Sequence, residues 1–234
     1  MFWEEDEDKS LPYQTPDDIL DALFSIRCKQ LPLDHAWLLK EAISNALNDT
    51  SLANYNKAPL GIHHIYVAES SNGWARPDES IESKLYPSKR TKLIIRVHKN
   101  HLDRLSSLSG CEVAIGDHSL EIGKMKTRLL TNSSVIFSRH VVSQDSNETE
   151  TAFLERNAFE ILNLTGVKTK KMMCGKSHQL VTPGGPIHTR HLMIADLESE
   201  TSIKLQQFGL GTHRDLGCGI FLPHKGIKSL NSTE

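Results

Sequence analysis

The chain has 234 residues, 38% of them hydrophobic, enough to bury a core as one large domain or as two small ones in tandem, and two are expected. No apolar run approaches the roughly 20 residues of a membrane span, and the acidic start Met1 to Asp8 lacks the basic and apolar regions of a signal peptide, so a cytoplasmic protein is expected. The net charge of −2 hides blocks: residues 1–83 carry 6 Lys/Arg against 15 Asp/Glu (−9), 84–140 carry 11 against 4 (+7), 141–167 carry 1 against 5 (−4), and 168–234 carry 9 against 5 (+4).

In chain order, alternation predicts a strand over Ile19 to Gln30, and Leu33 to Leu47 places Ala36, Leu39, Ile43, Ala46 and Leu47 at helical spacing, with Asp34 as N-cap. Ile62 to Ala68 and Leu93 to His98 read as short strands, Asn100 to Leu108 as a short helix, and Cys111 to Ile122 as a hairpin turning near Gly116 and Asp117. The second half repeats the order: strand Val135 to Val142, helix Thr149 to Leu164, strand Val167 to Cys174, strand Thr189 to Leu197, helix Ser199 to Phe208, strand Cys218 to Leu222. Two β-α-β-β-α-β series imply an α+β fold of tandem ferredoxin-like (RRM-like) sandwiches, divided into residues 1–130 and 131–234.

That superfold hosts enzymes, metal carriers and RNA binders, so the residues must choose. Two basic segments adjoining strands are what a phosphate-tracking groove needs, although charge alone fits solvated strand faces better. With only 6% aromatic residues the strands lack a base-stacking signature, and a basic cleft between the sandwiches is expected instead. Cys28, Cys111, Cys174 and Cys218 form no C-x-x-C pair, and reduced, mostly buried thiols are expected. The stretch Leu205 to Lys225 joins a helix to the last strand. Gly209 can end the helix, Gly211, Gly217 and Gly219 let backbone amides approach phosphate oxygens, and His213 and Arg214 add charge, against the plainer reading of a flexible loop.

Here the sequence resembles the CRISPR-associated endoribonucleases that process repeat RNA, members of the RAMP superfamily. The resemblance runs through Met1 to Asp8, Leu31 to His35, Asn72 to Pro77, Cys174 to Lys176 and Leu216 to Ile227, and the glycine-rich segment before the last strand is the superfamily's hallmark. It resembles the branch seen in type I systems. The resemblance implies metal-independent cleavage of precursor CRISPR RNA within each repeat, without a cofactor, and retention of the guide in a Cascade effector complex.

Attack of a ribose 2′-hydroxyl on its own phosphate needs a base, an acid and cationic donors. The resemblance places the catalytic histidine in or beside the first helix, where His35 stands; capped by Asp34, it is expected in the first turn, where the helix dipole favours the neutral base and the adjacent Asp34 the proton-donating form, which leaves both roles open. His63 and His64 are the rivals, because strand alternation sends them to opposite faces, which also makes them poor joint metal ligands. Arg139, beside His140, is a candidate phosphate contact, and Lys168, Lys170, Lys171 and Lys176 are candidates for clamping a stem-loop, with Lys225 beyond them. Tyr66 and Lys40 are candidates for the supporting tyrosine or lysine, which no motif matches. The run His188 to His191 does not match paired His-x-Thr motifs and is set aside. A non-catalytic subunit that caps guide RNA is the alternative.

Overall fold

The computed structural model describes residues 13–48, 60–67 and 84–224. In chain order the elements are β1 (Ile19–Arg27), β2 (Leu31–Pro32), α1 (Ala36–Ala46), β3 (Gly61–Ile62), β4 (Lys84–Leu85), β5 (Lys92–His98), α2 (Leu102–Ser106), β6 (Glu112–Ile115), β7 (His118–Leu129), β8 (Ile136–Val142), α3 (Glu150–Thr165), β9 (Lys171–Leu180), β10 (Ile187–Ala195), α4 (Ser199–Phe208) and β11 (Leu222–Pro223). One antiparallel sheet has the order β3-β5-β1-β7-β6, a second has the order β11-β8-β10-β9, and β2 pairs with β4 in a small ribbon. Among the described residues no helix is long and apolar enough to cross a membrane.

Alternation decides which side of each sheet is apolar. Ala22, Phe24 and Ile26 of β1, with Leu93 and Ile95 of β5 and Leu120 and Ile122 of β7, pack under Leu39 and Ile43 of α1 and Leu105 of α2. In the second sheet Ile136 and Val141 of β8 and Leu192 and Ile194 of β10 pack under Phe153 and Ile161 of α3 and Leu205 of α4. α3 is cut by local chemistry at both ends: Thr149 Oγ1 accepts the Ala152 N–H at 3.2 Å, and Gly166 ends it at φ +76°.

The opposite face of the first sheet holds charge. Asp21 of β1 and Arg96 of β5 are directly opposed, 2% and 1% exposed, and Arg96 Nε donates to Asp21 Oδ1 at 2.8 Å. Arg96 Nη1 also donates to the carbonyls of Gln206 and Phe221 at 2.9 and 2.8 Å, the two ends of the glycine-rich segment. Burial works against the Asp21 carboxylate, but Arg96 and a bond from Arg128 outweigh it and hold its pKa well below the usual carboxylate range. His63 Nε2 sits 3.8 Å from Asp21 Oδ1. Burial, together with the Arg96 charge, pushes the His63 imidazole down to about 3, so it is neutral at physiological pH.

Several elements differ from the sequence expectation. The strand expected over Ile62 to Ala68 stops at Ile62, because the Ile65 N–H is taken by His35 Nε2 at 2.9 Å instead of by β5; Ala68 lies outside the described residues. The strand expected over Val167 to Cys174 begins at Lys171 and runs to Leu180, since pairing with β10 matches Lys171 to Ala195 and Leu180 to Ile187. The strand expected from Cys218 shrinks to Leu222–Pro223, the residues before it being folded into a tight buried loop. Of the four thiols only Cys218 is buried, the other three being half-buried.

Replacing Arg96 by Met leaves Asp21 to the half-exposed Arg128 and strands two buried carbonyls. Urea unfolding is expected to lose about 3–5 kcal/mol, against roughly 0.5 or less for Arg27→Met, whose pair with Glu121 is at the surface. His63 contributes stability that is complete above its unfolded value near 6.5 and is lost as pH falls toward about 3. Thermal unfolding between pH 7 and pH 4.5 is therefore expected to show a shallower fall for His63→Gln than for the parent chain.

Candidate active site and nucleic-acid interface

The two sheets meet where the N-terminus of α1, the 63–67 segment after β3, the open face of β8 to β10 and the glycine-rich loop converge. His35 stands at the α1 N-cap position, 1% exposed and making no side-chain cap. Its Nδ1 lies 3.0 and 3.1 Å from the carbonyls of Pro32 and Leu33, which can only accept, so Nδ1 carries the proton and Nε2 accepts from Ile65. This corrects the expectation of an accessible His35 in the first helical turn under an Asp34 cap. Asp34 Oδ2 instead accepts the Val181 N–H at 2.7 Å, tying α1 to the tip of the β9–β10 hairpin.

His63 and His64 point apart, as strand alternation required. His63 is sealed beside Asp21, 4% exposed, and does not face the junction. His64 is half-buried, and its Nε2 lies 2.8 Å from the Leu216 carbonyl of the glycine-rich loop. That acceptor fixes a proton on Nε2, so in the neutral ring the lone pair is on Nδ1. Around it, His140 stacks at 4.5 Å, Tyr66 lies nearly parallel at 6.0 Å, and His35 meets it edge-on at 5.7 Å. The Arg139 guanidinium lies 4.6 Å over the Tyr66 ring. Lys40 is near the junction but committed, 3.3 Å from Asp215 and over the Trp37 ring.

The glycine-rich loop is built inward. Gly209 donates its N–H to Leu205, Gly217 to Arg214, Gly219 to His140 and Gly211 to Glu160, so these amides are engaged within the protein. This corrects the picture of amides aimed at phosphate. Positive φ is required at Gly209, Gly211, Gly217 and Gly219, and the reasons for glycine differ. An added Cβ would overlap the Gly219 carbonyl at Gly209, the His64 ring at Gly217 and the Leu210 carbonyl at Gly219, yet would meet nothing at Gly211. His213 is exposed on left-handed backbone, and its carbonyl accepts from Leu216 and Cys218. Arg214 is buried and donates to the Gln207 carbonyl, so it is a strut of the junction instead of a phosphate contact; burial beside Arg96 pushes it down to about 9, still charged at neutral pH.

Of the lysines, Lys168, Lys170 and Lys176 are exposed on or before the edge strand β9, whereas Lys171 pairs with Asp196 at 2.8 Å. Lys225 lies outside the described residues, as do Met1 to Asp8 and Asn72 to Pro77. Sequence reading set His191 aside with the His188 to His191 run and missed its partner His178; their Nε2 atoms lie 2.8 Å apart across the β9–β10 hairpin. The turn cluster Thr182 to Pro186 was the available signal, because a hairpin folded there brings these two together.

Solved structures share this fold. One described as "An RAMP protein binding different RNA substrates" superposes with a TM-score of 0.61 at 14% identity, covering 88% of this chain and all of that one. Another, "Characterization of a Cas6-related gene from Pyrococcus furiosus", gives 0.60 at 14% identity, covering 90% and 99%. The chain thus shares the fold of these two proteins. The family profile described as Cas6 Crispr matches residues 20–226, and the chain belongs to the Cas6 family. A relative from Myxococcus xanthus (strain DK1622), named "CRISPR-associated endonuclease Cas6", is 26% identical over 204 residues, 87% of this chain and 81% of that protein.

The loop geometry yields a graded expectation. Gly211→Ala bears only the left-handed backbone cost, about 1–2 kcal/mol, while Gly219→Ala adds overlap with a backbone carbonyl and is expected to cost about 3 kcal/mol or more. Chemical denaturation of the two variants side by side checks the order.

Proposed function

We propose that this chain is an endoribonuclease that cuts precursor CRISPR RNA within its repeats, with His64 as the proton-transferring histidine. The carrying observation is the placement of His64 at the junction of the sheets, its Nε2 tied to Leu216 and its ring enclosed by Tyr66, His140 and His35, with Arg139 one ring away. Membership of the Cas6 family and the endonuclease named from Myxococcus xanthus support the substrate class. The two strand orders support reading residues 1–130 and 131–234 as tandem ferredoxin-like domains.

The reaction is a transesterification without a metal. The 2′-oxygen forms a bond to phosphorus as its proton passes to His64 Nδ1, and the bond from phosphorus to the 5′-oxygen breaks as that oxygen takes a proton from the Tyr66 hydroxyl, which His64 then reprotonates. The products are a 2′,3′-cyclic phosphate and a 5′-hydroxyl. Tyr66 is the neighbouring proton carrier, and Arg139 supplies positive charge to the crowded phosphate. His35 is a positioning residue: its fixed tautomer pins the Ile65 amide and with it the two flanking residues, His64 and Tyr66. Lys168, Lys170 and Lys176 hold the repeat stem-loop, and the product stays bound as part of a Cascade assembly.

Cleavage of the host's labelled repeat RNA in EDTA, with binding measured in parallel, tests this. His64→Ala is expected to lower the rate by about 10²- to 10⁴-fold with binding retained. His35→Gln, which keeps an acceptor for Ile65 but cannot titrate, is expected to keep most of the activity that His35→Ala loses. Full activity in His64→Ala would refute its role, and a folded but inactive His35→Gln would return the chemistry to His35. Tight binding with no cleavage by the parent chain would favour the guide-capping reading.

A further inference from the structure

The second sheet carries its helices on one face, and its other face is ringed. Starting from Tyr66 and His64 at the junction, rings follow one another as His140, His178, His191, Phe137 and His224, with successive centroid distances of 6.0, 4.5, 5.6, 4.5, 5.4 and 5.8 Å. The row crosses β8, β9 and β10 and ends just past β11, so it spans the sheet. Cross-strand register adds apolar neighbours: Met173 and Phe137 are each directly opposite Met193, and Leu222 is opposite Phe137, which puts all four on that same face. Met173, 58% exposed, leaves its side chain open on that face.

We propose that this face is a stacking platform for the bases of single-stranded RNA flanking the scissile phosphate. The inference rests on the reading of the chain as a repeat-RNA endonuclease, because the row begins at the histidine assigned to the chemistry. Three observations select this occupant over a protein partner. Beyond the junction the rings of His178, His191, Phe137 and His224 are half-buried and keep part of their surface open on the sheet, as base stacking needs, while buried His140 links them to His64. They are continuous with the candidate active site, so a nucleotide held at His64 has its neighbours delivered onto them. The cations close by, Arg139 over Tyr66 and exposed Lys176 on β9, match a phosphate backbone running beside stacked bases. The His178–His191 bond requires one nitrogen to donate and the other to accept, so the pair presents at least one neutral ring, suited to stacking more than to binding a phosphate.

The low content of Phe, Trp and Tyr argued against such a platform from sequence. Histidine supplies most of the rings here, and the count of conventional aromatics overlooks it. Residues from three strands converge only through the β9–β10 register.

The test uses the full chain and the host's repeat hairpin made with and without its single-stranded flanks, with 2-aminopurine placed singly at each flanking nucleotide. The parent chain is expected to bind the flanked hairpin more tightly than the bare one and to quench 2-aminopurine at consecutive positions on one side of the cut. Phe137→Ala and His191→Ala are each expected to weaken binding of the flanked hairpin by roughly 5- to 150-fold, leave the bare hairpin unchanged, and abolish quenching at one position. His191→Phe, which keeps a ring, is expected to restore both and serves as the folded control. Cleavage by the parent chain with no gain from the flanks, or with a gain that both alanine variants keep, overturns the platform while leaving the endonuclease reading intact. No binding and no cleavage of any repeat RNA overturns both together.

Discussion

One guanidinium holds the arrangement together. Arg96 neutralises Asp21 inside the first sheet and, with the same group, takes the carbonyls of Gln206 and Phe221, which bracket the glycine-rich loop. A buried charge of this kind is costly unless every donor is used, and here the donors are spent on a carboxylate and two backbone oxygens that would otherwise be stranded at the junction. The loop ends are thereby fixed to β5, and the loop between them has few ways to close. Glycines at 209, 217 and 219 provide the turns, since an added Cβ would collide at each of them.

From that closure the candidate chemistry follows through two hydrogen bonds. The loop presents the Leu216 carbonyl to His64 Nε2, and α1 presents His35 Nε2 to the Ile65 amide. One bond sets the tautomer of His64, and the other sets the path of the chain that carries it. In the proposed reading, structural and chemical roles are divided between two histidines whose rings are 5.7 Å apart. A buried, doubly bonded imidazole makes a precise anchor and a poor proton shuttle, which is why the proposal assigns the chemistry to the half-buried ring beside Tyr66.

Much of the architecture was legible because it is written locally. Helix α4 spans Ser199–Phe208 as its periodicity dictated, α3 is bounded by Thr149 and Gly166, and the β6–β7 hairpin turns at Gly116 and Asp117. The family was legible too, from the Leu216 to Ile227 run and its companions. What stayed hidden depends on partners distant in sequence. His35 is held by a bond to an amide 30 residues away, and Arg214 turns inward to the Gln207 carbonyl. Glycine spacing gave the loop its place but not its direction, since exposed and internally bonded amides share one sequence pattern. The ring row on the second sheet was hidden twice, by histidine's ambiguous chemistry and by a strand that starts four residues later than its periodicity indicated.

The measurement that bears most directly on this account is cleavage of repeat RNA carrying a single 2′-deoxy nucleotide on the 5′ side of the cut, in EDTA, beside the all-ribose RNA. The account predicts that the deoxy RNA is bound as tightly and is left intact, while the all-ribose RNA yields a 2′,3′-cyclic phosphate and a 5′-hydroxyl. Cleavage of the deoxy RNA at that same phosphate would contradict it, because an attacking group other than the neighbouring hydroxyl would then be at work, and His64 would have no proton to take.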